Sequence, residues 1–159
     1  MTKKIKESSF DVVGLGNAIV DVLSTIDDAL LERLSFKKGS MTLIDENKSN
    51  ELYNIAHNGT QRSGGSVANS LACISQLGGK TAFIGRVRND NLGKIFTEEI
   101  SKTGTIFKTP PSSVGPSTAR CLIFVTPDTQ RTMCTYLGAS VLLNTDDIDL
   151  SFVSEAKIL

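Results

Sequence analysis

The sequence contains no tryptophan, a single histidine, three cysteines and no surplus of either charge. Each shortage closes off a class of function. A Ser-His-Asp or Cys-His nucleophile pair would have to be built on His57. That residue sits in a polar stretch before Asn58-Gly59, the setting of an exposed histidine at a helix end; zinc sites with several histidines are impossible. Cys73, Cys121 and Cys134 are odd in number and lack CxxC spacing, which argues against a disulfide framework or structural zinc. They are expected to be buried thiols in a reducing cytoplasm. The 17 basic and 17 acidic residues cancel, and the longest basic cluster is Lys3-Lys4 with Lys6. A nucleic-acid or anionic-membrane binder normally carries excess basic charge, so neither partner is expected. No run approaches the roughly 18 uninterrupted apolar residues of a membrane span. The N-terminal lysines are followed by Glu7-Ser8-Ser9, and Asp11, Asn17 and Asp21 interrupt the next apolar run, so no secretory signal is expected. Without a secretion route, Asn47-Lys48-Ser49 and Asn58-Gly59-Thr60 are chance matches to a glycosylation triplet. A cytoplasmic location follows from these readings.

The chain does have 159 residues and 40% hydrophobic content, enough for one domain with a real core. Phe10 to Gly16 has the composition of a short buried strand ended by glycines. The run 20–26 is β-prone, 29–34 makes one or two helical turns, and Met41-Thr42-Leu43-Ile44 is strand-like. A helix is predicted over about 46–56. Val67, Leu71, Ile74 and Leu77 fall on one helical face, and Gly78-Gly79 closes that helix. Thr81-Ala82-Phe83-Ile84 is a compact apolar strand, and Leu92, Ile95, Phe96 and Ile100 repeat helical spacing. Such alternation predicts an α/β fold with a parallel sheet covered by helices. Beyond Thr105 the character changes. Residues 110–116 are a loop, 119–126 and 131–137 a β-hairpin about Pro127-Asp128, and 152–159 a helix running into a strand.

Three segments hold residues suited to chemistry. The first is Gly14-Leu15-Gly16-Asn17-Ala18-Ile19-Val20-Asp21. Ile19 stands where a dinucleotide fingerprint needs its third glycine, which weakens a Rossmann reading. Asn17 and Asp21 instead offer an amide and a carboxylate at the carboxyl end of a strand, suited to adjacent sugar hydroxyls. The plain alternative is a turn asparagine and an exposed aspartate. The second is Ser63-Gly64-Gly65-Ser66-Val67-Ala68-Asn69, a double glycine opening a helix. It permits close backbone approach to a ligand or a hinge; otherwise it is an ordinary loop with Ser66 as cap. The third is Asp128-Thr129-Gln130-Arg131, where a hairpin-tip arginine either reaches a phosphate across a cleft or is simply solvated.

Taken in order, these segments resemble the PfkB-type carbohydrate kinase family, the ribokinase and adenosine kinase group. The likeness covers residues 11–159 but only the N-terminal half of that family's pattern. Its strongest part runs from Ser63 through Leu77-Gly78-Gly79-Lys80-Thr81-Ala82-Phe83-Ile84-Gly85 to Asn89-Asp90-Asn91-Leu92-Gly93. Val67 and Leu71 stand where small residues are usual, and Arg88 replaces the glycine of a Gly-Asp-Asp turn. The stretch 131–140 is closer to adenosine-kinase-like members than to ribokinase.

The resemblance implies a ribokinase-like three-layer α/β/α sandwich with a small β-sheet lid, truncated before its ATP-binding half. The lid would comprise roughly 22–26, 39–44, 119–126 and 131–137, within residues 1–159 as the N-terminal part of a single kinase domain. It implies that Asp21, with Asn17 beside it, binds acceptor hydroxyls, that Gly64-Gly65 is the lid hinge, and that Asn69 contacts the sugar. Ser66 lies in the same stretch. Met41 and Leu43 would cover the substrate or form plain lid core, and Arg131 would lie near the acceptor. Such kinases use ATP and Mg²⁺, whose binding residues are expected mostly beyond Leu159. The family's general base is an aspartate in a Gly-Ala-Gly-Asp motif that this sequence does not contain, so no catalytic residue is assigned. The expected function is the acceptor-binding half of a sugar or nucleoside kinase, alone inactive, with dimerisation through the lid open. The alternative is a non-catalytic sugar- or nucleoside-binding module, and a nucleotide-dependent dehydrogenase is a distant third.

Overall fold

A computed structural model describes residues 9–56 and 58–159, so the N-terminal lysine cluster and His57 lie outside the described residues. In chain order the elements begin β1 (Phe10–Leu15), β2 (Ile19–Thr25), α1 (Asp28–Arg33), β3 (Met41–Leu43), α2 (Glu46–Ile55) and β4 (Thr60–Gly64). They continue α3 (Ser66–Gln76), β5 (Thr81–Ile84), α4 (Asn91–Lys102), β6 (Ile106–Phe107), β7 (Ala119–Val125) and β8 (Arg131–Tyr136). Two 3-10 turns (Gly138–Leu142 and Thr145–Asp147), α5 (Leu150–Ser154) and β9 (Ala156–Ile158) complete the described chain.

The first sheet is parallel, in the order β6-β5-β1-β9. All four residues of β5 are buried, as expected for a parallel strand covered on both faces. Phe83 faces the layer of α3 and α4, where Leu71, Phe96 and Ile100 are buried with it. Ala82 and Ile84 face the opposite layer, against Phe152 and Val153 of α5. Those two helical layers complete the expected α/β/α sandwich. The Phe96 ring lies 5.7 Å from Phe83 and 5.3 Å, edge-on, from Phe107. Phe96→Ala should therefore cost about 3–5 kcal/mol, measurable as a lowered midpoint in urea unfolding.

Two expectations about α3 fail. Leu77 is 83% exposed, because the helix ends at Gln76 and Gly78, at φ +94°, turns the chain away. Cys73 is exposed on the helix's outer side, whereas Cys121 and Cys134 are buried.

The second sheet runs β3-β8-β7-β2-β4, with the hairpin β7–β8 antiparallel as expected. Its edge strand β4, antiparallel to β2, was not legible as a strand. Thr60-Gln61-Arg62-Ser63-Gly64 has no apolar alternation, and pairing rather than burial makes it a strand. One face of this sheet, carrying Val20, Val22, Leu122, Phe124 and Cys134, joins the core with Leu52 and Ala56. Beneath it, Arg120 is 5% exposed. Its Nε donates to Ser49 Oγ at 2.6 Å, Nη2 donates to Asn50 Oδ1, and the guanidinium lies 4.9 Å over the Tyr53 ring. These contacts tie α2 to the sheet. No helix among the described residues is long and apolar enough to cross a membrane.

Candidate functional site

Residues 16–18 carry the chain from the carboxyl end of β1 into β2, so Asn17 and Asp21 lie where the two sheets meet. Alternation along β2 buries Val20 and Val22 and turns Asp21 to the other face. Register puts Asp21 opposite Arg62 of β4 and Cys121 of β7. Its carboxylate has no hydrogen-bond partner among the described residues, and burial pushes its pKa up to about 6. The group lies against the Gly64 backbone: a Cβ there would collide with Asp21 Cγ and both carboxylate oxygens. Gly65 adopts φ +99°, and a Cβ on it would stand 2.5 Å from the Asn17 carbonyl oxygen. Conformation and a backbone neighbour require glycine at 65, whereas glycine at 64 leaves the space in which the Asp21 carboxylate lies.

Asn17, Asp21, Gly64 and Gly65 are therefore one cluster. Asn69 follows one turn into α3, where its backbone N–H donates to the Gly65 carbonyl at 2.9 Å as part of the helix's first turn. Ser66 is the first residue of α3 rather than its cap; Gly65 holds the cap position and no side chain caps the helix. Both amides, Asn17 and Asn69, are solvent-exposed.

The same sheet face continues outward from Asp21 in cross-strand rows. Leu43, Thr135, Cys121 and Asp21 occupy one row, and Met41, Met133, Ile123 and Leu23 the next. Met41 and Leu43 point out together, 55% and 60% exposed. Arg131 lies on this face too, but opposite Val125 and Thr25, two rows from Asp21. That is about 13 Å along the strands, so it does not join the cluster. The ion pair at the hairpin tip is instead made by Asp128 with Lys38 at 2.6 Å.

Cys121 escaped the sequence reading as a neighbour of Asp21, since only parallel pairing across 100 residues of chain creates that contact. Its thiol accepts a hydrogen bond from Thr135 Oγ1 at 3.2 Å, and burial pushes its pKa up to about 11. It is therefore a neutral wall beside the carboxylate. Among the described residues, no three His, Cys, Asp or Glu side chains gather to hold a metal. Asp21 is the one carboxylate of the cluster, so these residues by themselves do not form a closed cation cage.

A helix-flanked parallel sheet joined to a second β-sheet is the ribokinase-like arrangement of the solved sugar and adenosine kinases that superpose on this chain. The model of the pfkB family carbohydrate kinases matches residues 35–159. The chain belongs to that family. A probable sugar kinase from Rhizobium etli CFN 42 superposes with a TM-score of 0.84 at 43% identity, covering 94% of this chain and 46% of that one. Adenosine kinase from Sinorhizobium meliloti gives 0.83 at 41% identity, again covering 94% and 46%. Probable fructokinase-4 of Arabidopsis thaliana is 29% identical over 97 residues, 60% of this chain and 30% of that protein. The chain thus spans about half of those structures and less of the fructokinase.

Proposed function

We propose that this chain supplies the acceptor-binding part of a cytoplasmic, ATP-dependent sugar or nucleoside kinase, which phosphorylates a primary hydroxyl. The unpartnered carboxylate of Asp21, held against Gly64 beside Asn17 and one turn from Asn69, carries this reading. At neutral pH a group with a pKa near 6 is mostly ionised, and a carboxylate is acceptor-only. Two adjacent hydroxyls of a furanose can donate to it while the asparagine amides serve the remaining ring positions. The second sheet acts as a lid, with Gly64-Gly65 as its hinge, and its exposed Met41 and Leu43 close over the acceptor. Closure excludes water that would compete for the phosphoryl group. ATP would be the donor, and Mg²⁺ bound with it would neutralise its phosphates. The likeness to a sugar kinase and an adenosine kinase above 40% identity supports both acceptor classes.

Calorimetry with adenosine, ribose and fructose should show one-site binding of at least one of them to the chain. Absence of heat for all three would sink the reading. A chain that binds an acceptor, but whose full-length form releases no ADP from ATP, would be the non-catalytic binding module instead.

A further inference from the structure

The second sheet is rooted in the rest of the molecule at four crossings. Two of them, 16–18 and 64–65, lie at the Asp21 cluster. The other two are 117–118, entering β7, and 137–139, leaving β8. This second pair is held in a different way. Asp90 Oδ2 accepts the Thr118 backbone N–H at 2.9 Å, and Asp90 Oδ1 accepts the Thr118 hydroxyl at 2.7 Å. That hydroxyl oxygen accepts the Arg88 backbone N–H at 2.9 Å. The same carboxylate caps α4 by accepting the Gly93 N–H at 2.8 Å. Next door, the Ser117 carbonyl accepts the Ala139 N–H at 2.9 Å, and Ser117 Oγ donates to Glu46 at 2.7 Å. Space is also closed: a Cβ on Gly138 would collide with the Ser117 carbonyl.

We propose that Asp90 is a positioning residue that fixes the roots of β7 and β8 to α4, making them the axis on which the lid turns. The contrast between the two pairs of roots carries this. One carboxylate satisfies three donors from two separate segments at the second pair. At the first, Gly65 sits at φ +99° and Asn17 and Asp21 spend no side-chain hydrogen bond on the joint. Closing therefore pivots on the roots of β7 and β8, the central strands of the sheet, and carries the Asp21–Leu43 row with them. The inference rests on the acceptor-kinase reading for its purpose, but not for its geometry.

Amide hydrogen exchange and acceptor calorimetry on the 159-residue chain test it together. Asp90→Asn keeps a competent helix cap but replaces one acceptor oxygen with a donor, and Thr118→Val removes the hydroxyl. Both should speed exchange at 118–122 and 137–139 at least tenfold, leave β5 amides unchanged, and weaken acceptor binding about tenfold. Thr118→Ser should restore both. A lowered melting temperature with unaltered affinity, or exchange quickened evenly over the chain, would overturn the proposal and leave Asp90 a simple cap. If the unmutated chain binds no acceptor, the function reading fails; exchange confined to the two roots would then uphold the joint, and even exchange would reject it.

Discussion

Asp21→Asn is expected to make the empty chain more stable at pH 7–8 while removing its affinity for the acceptor. The carboxylate is held in the fold with a pKa of about 6, against 3.8 for the unperturbed group, and burial is the cause. The folded state therefore binds more protons than the unfolded state between those values. Stability contributed by protonated Asp21 is complete below about pH 3.8 and is lost as pH rises to about 6. By the usual conversion this is on the order of 3 kcal/mol at most. Asparagine carries no charge to desolvate, so the variant should lose that slope and melt higher than the parent above pH 6. Binding moves the other way. Hydrogen bonds to a charged acceptor contribute about 1.5–3 kcal/mol each, so losing them should weaken the acceptor roughly 100-fold or more. Urea titrations at pH 4, 6 and 8 beside calorimetry read both halves. A parent and variant with equal slopes and equal affinities would show that Asp21 is merely a surface carboxylate.

Alanine at the two hinge glycines is expected to separate shape from strain. In Gly64→Ala the new methyl occupies the place of the Asp21 carboxylate, and the side chain must turn away. Affinity should then fall about as far as in Asp21→Asn, with a lower melting temperature rather than a higher one. In Gly65→Ala the methyl meets the Asn17 carbonyl oxygen at 2.5 Å from a backbone at φ +99°. A non-glycine residue so held costs on the order of 1–3 kcal/mol, about 2–12 °C for a chain of this size at about 2–4 °C per kcal/mol. Thermal unfolding of the two single variants and the double variant would display the difference. An unshifted melting temperature in Gly65→Ala would mean that the joint relaxes freely and is not defined by that glycine.

Much of the architecture was legible along the chain, for reasons that particular elements make plain. Thr81-Ala82-Phe83-Ile84 is short, apolar and followed by Gly85, and it is the fully buried centre of the parallel sheet. Leu92, Phe96 and Ile100 repeat at helical spacing after Asp90, and those three are buried in α4. Pro127-Asp128 stands between two β-prone runs, which do pair antiparallel. What failed was each feature whose state depends on a neighbour. The segment 60–64 has no strand pattern of its own and becomes one by lying beside β2. Leu77 continues the apolar face by spacing, yet its helix has already ended. Cys73 looked like its two buried counterparts, but it projects from the outer side of α3.

The candidate site divides the same way. The double glycine and the side chains of Asn17, Asp21 and Asn69 are local choices of residue, written in the sequence together with strand, helix and turn periodicity. Their convergence is not local. Asp21 meets Gly64 across an antiparallel edge pair, and Cys121 and Leu43 share its row only through β7, β8 and β3. Arg131 has the right chemistry, and strand register alone sets it two rows away. The sequence by itself determined most of the elements, the family likeness and the chemical types available, because propensity, periodicity and turn chemistry act over a few residues. Tertiary structure alone decided which carboxylate stands half-buried without a partner and which one locks a joint. Asp21 and Asp90 are the same residue type; only the donors that folding brings to one and withholds from the other make them different.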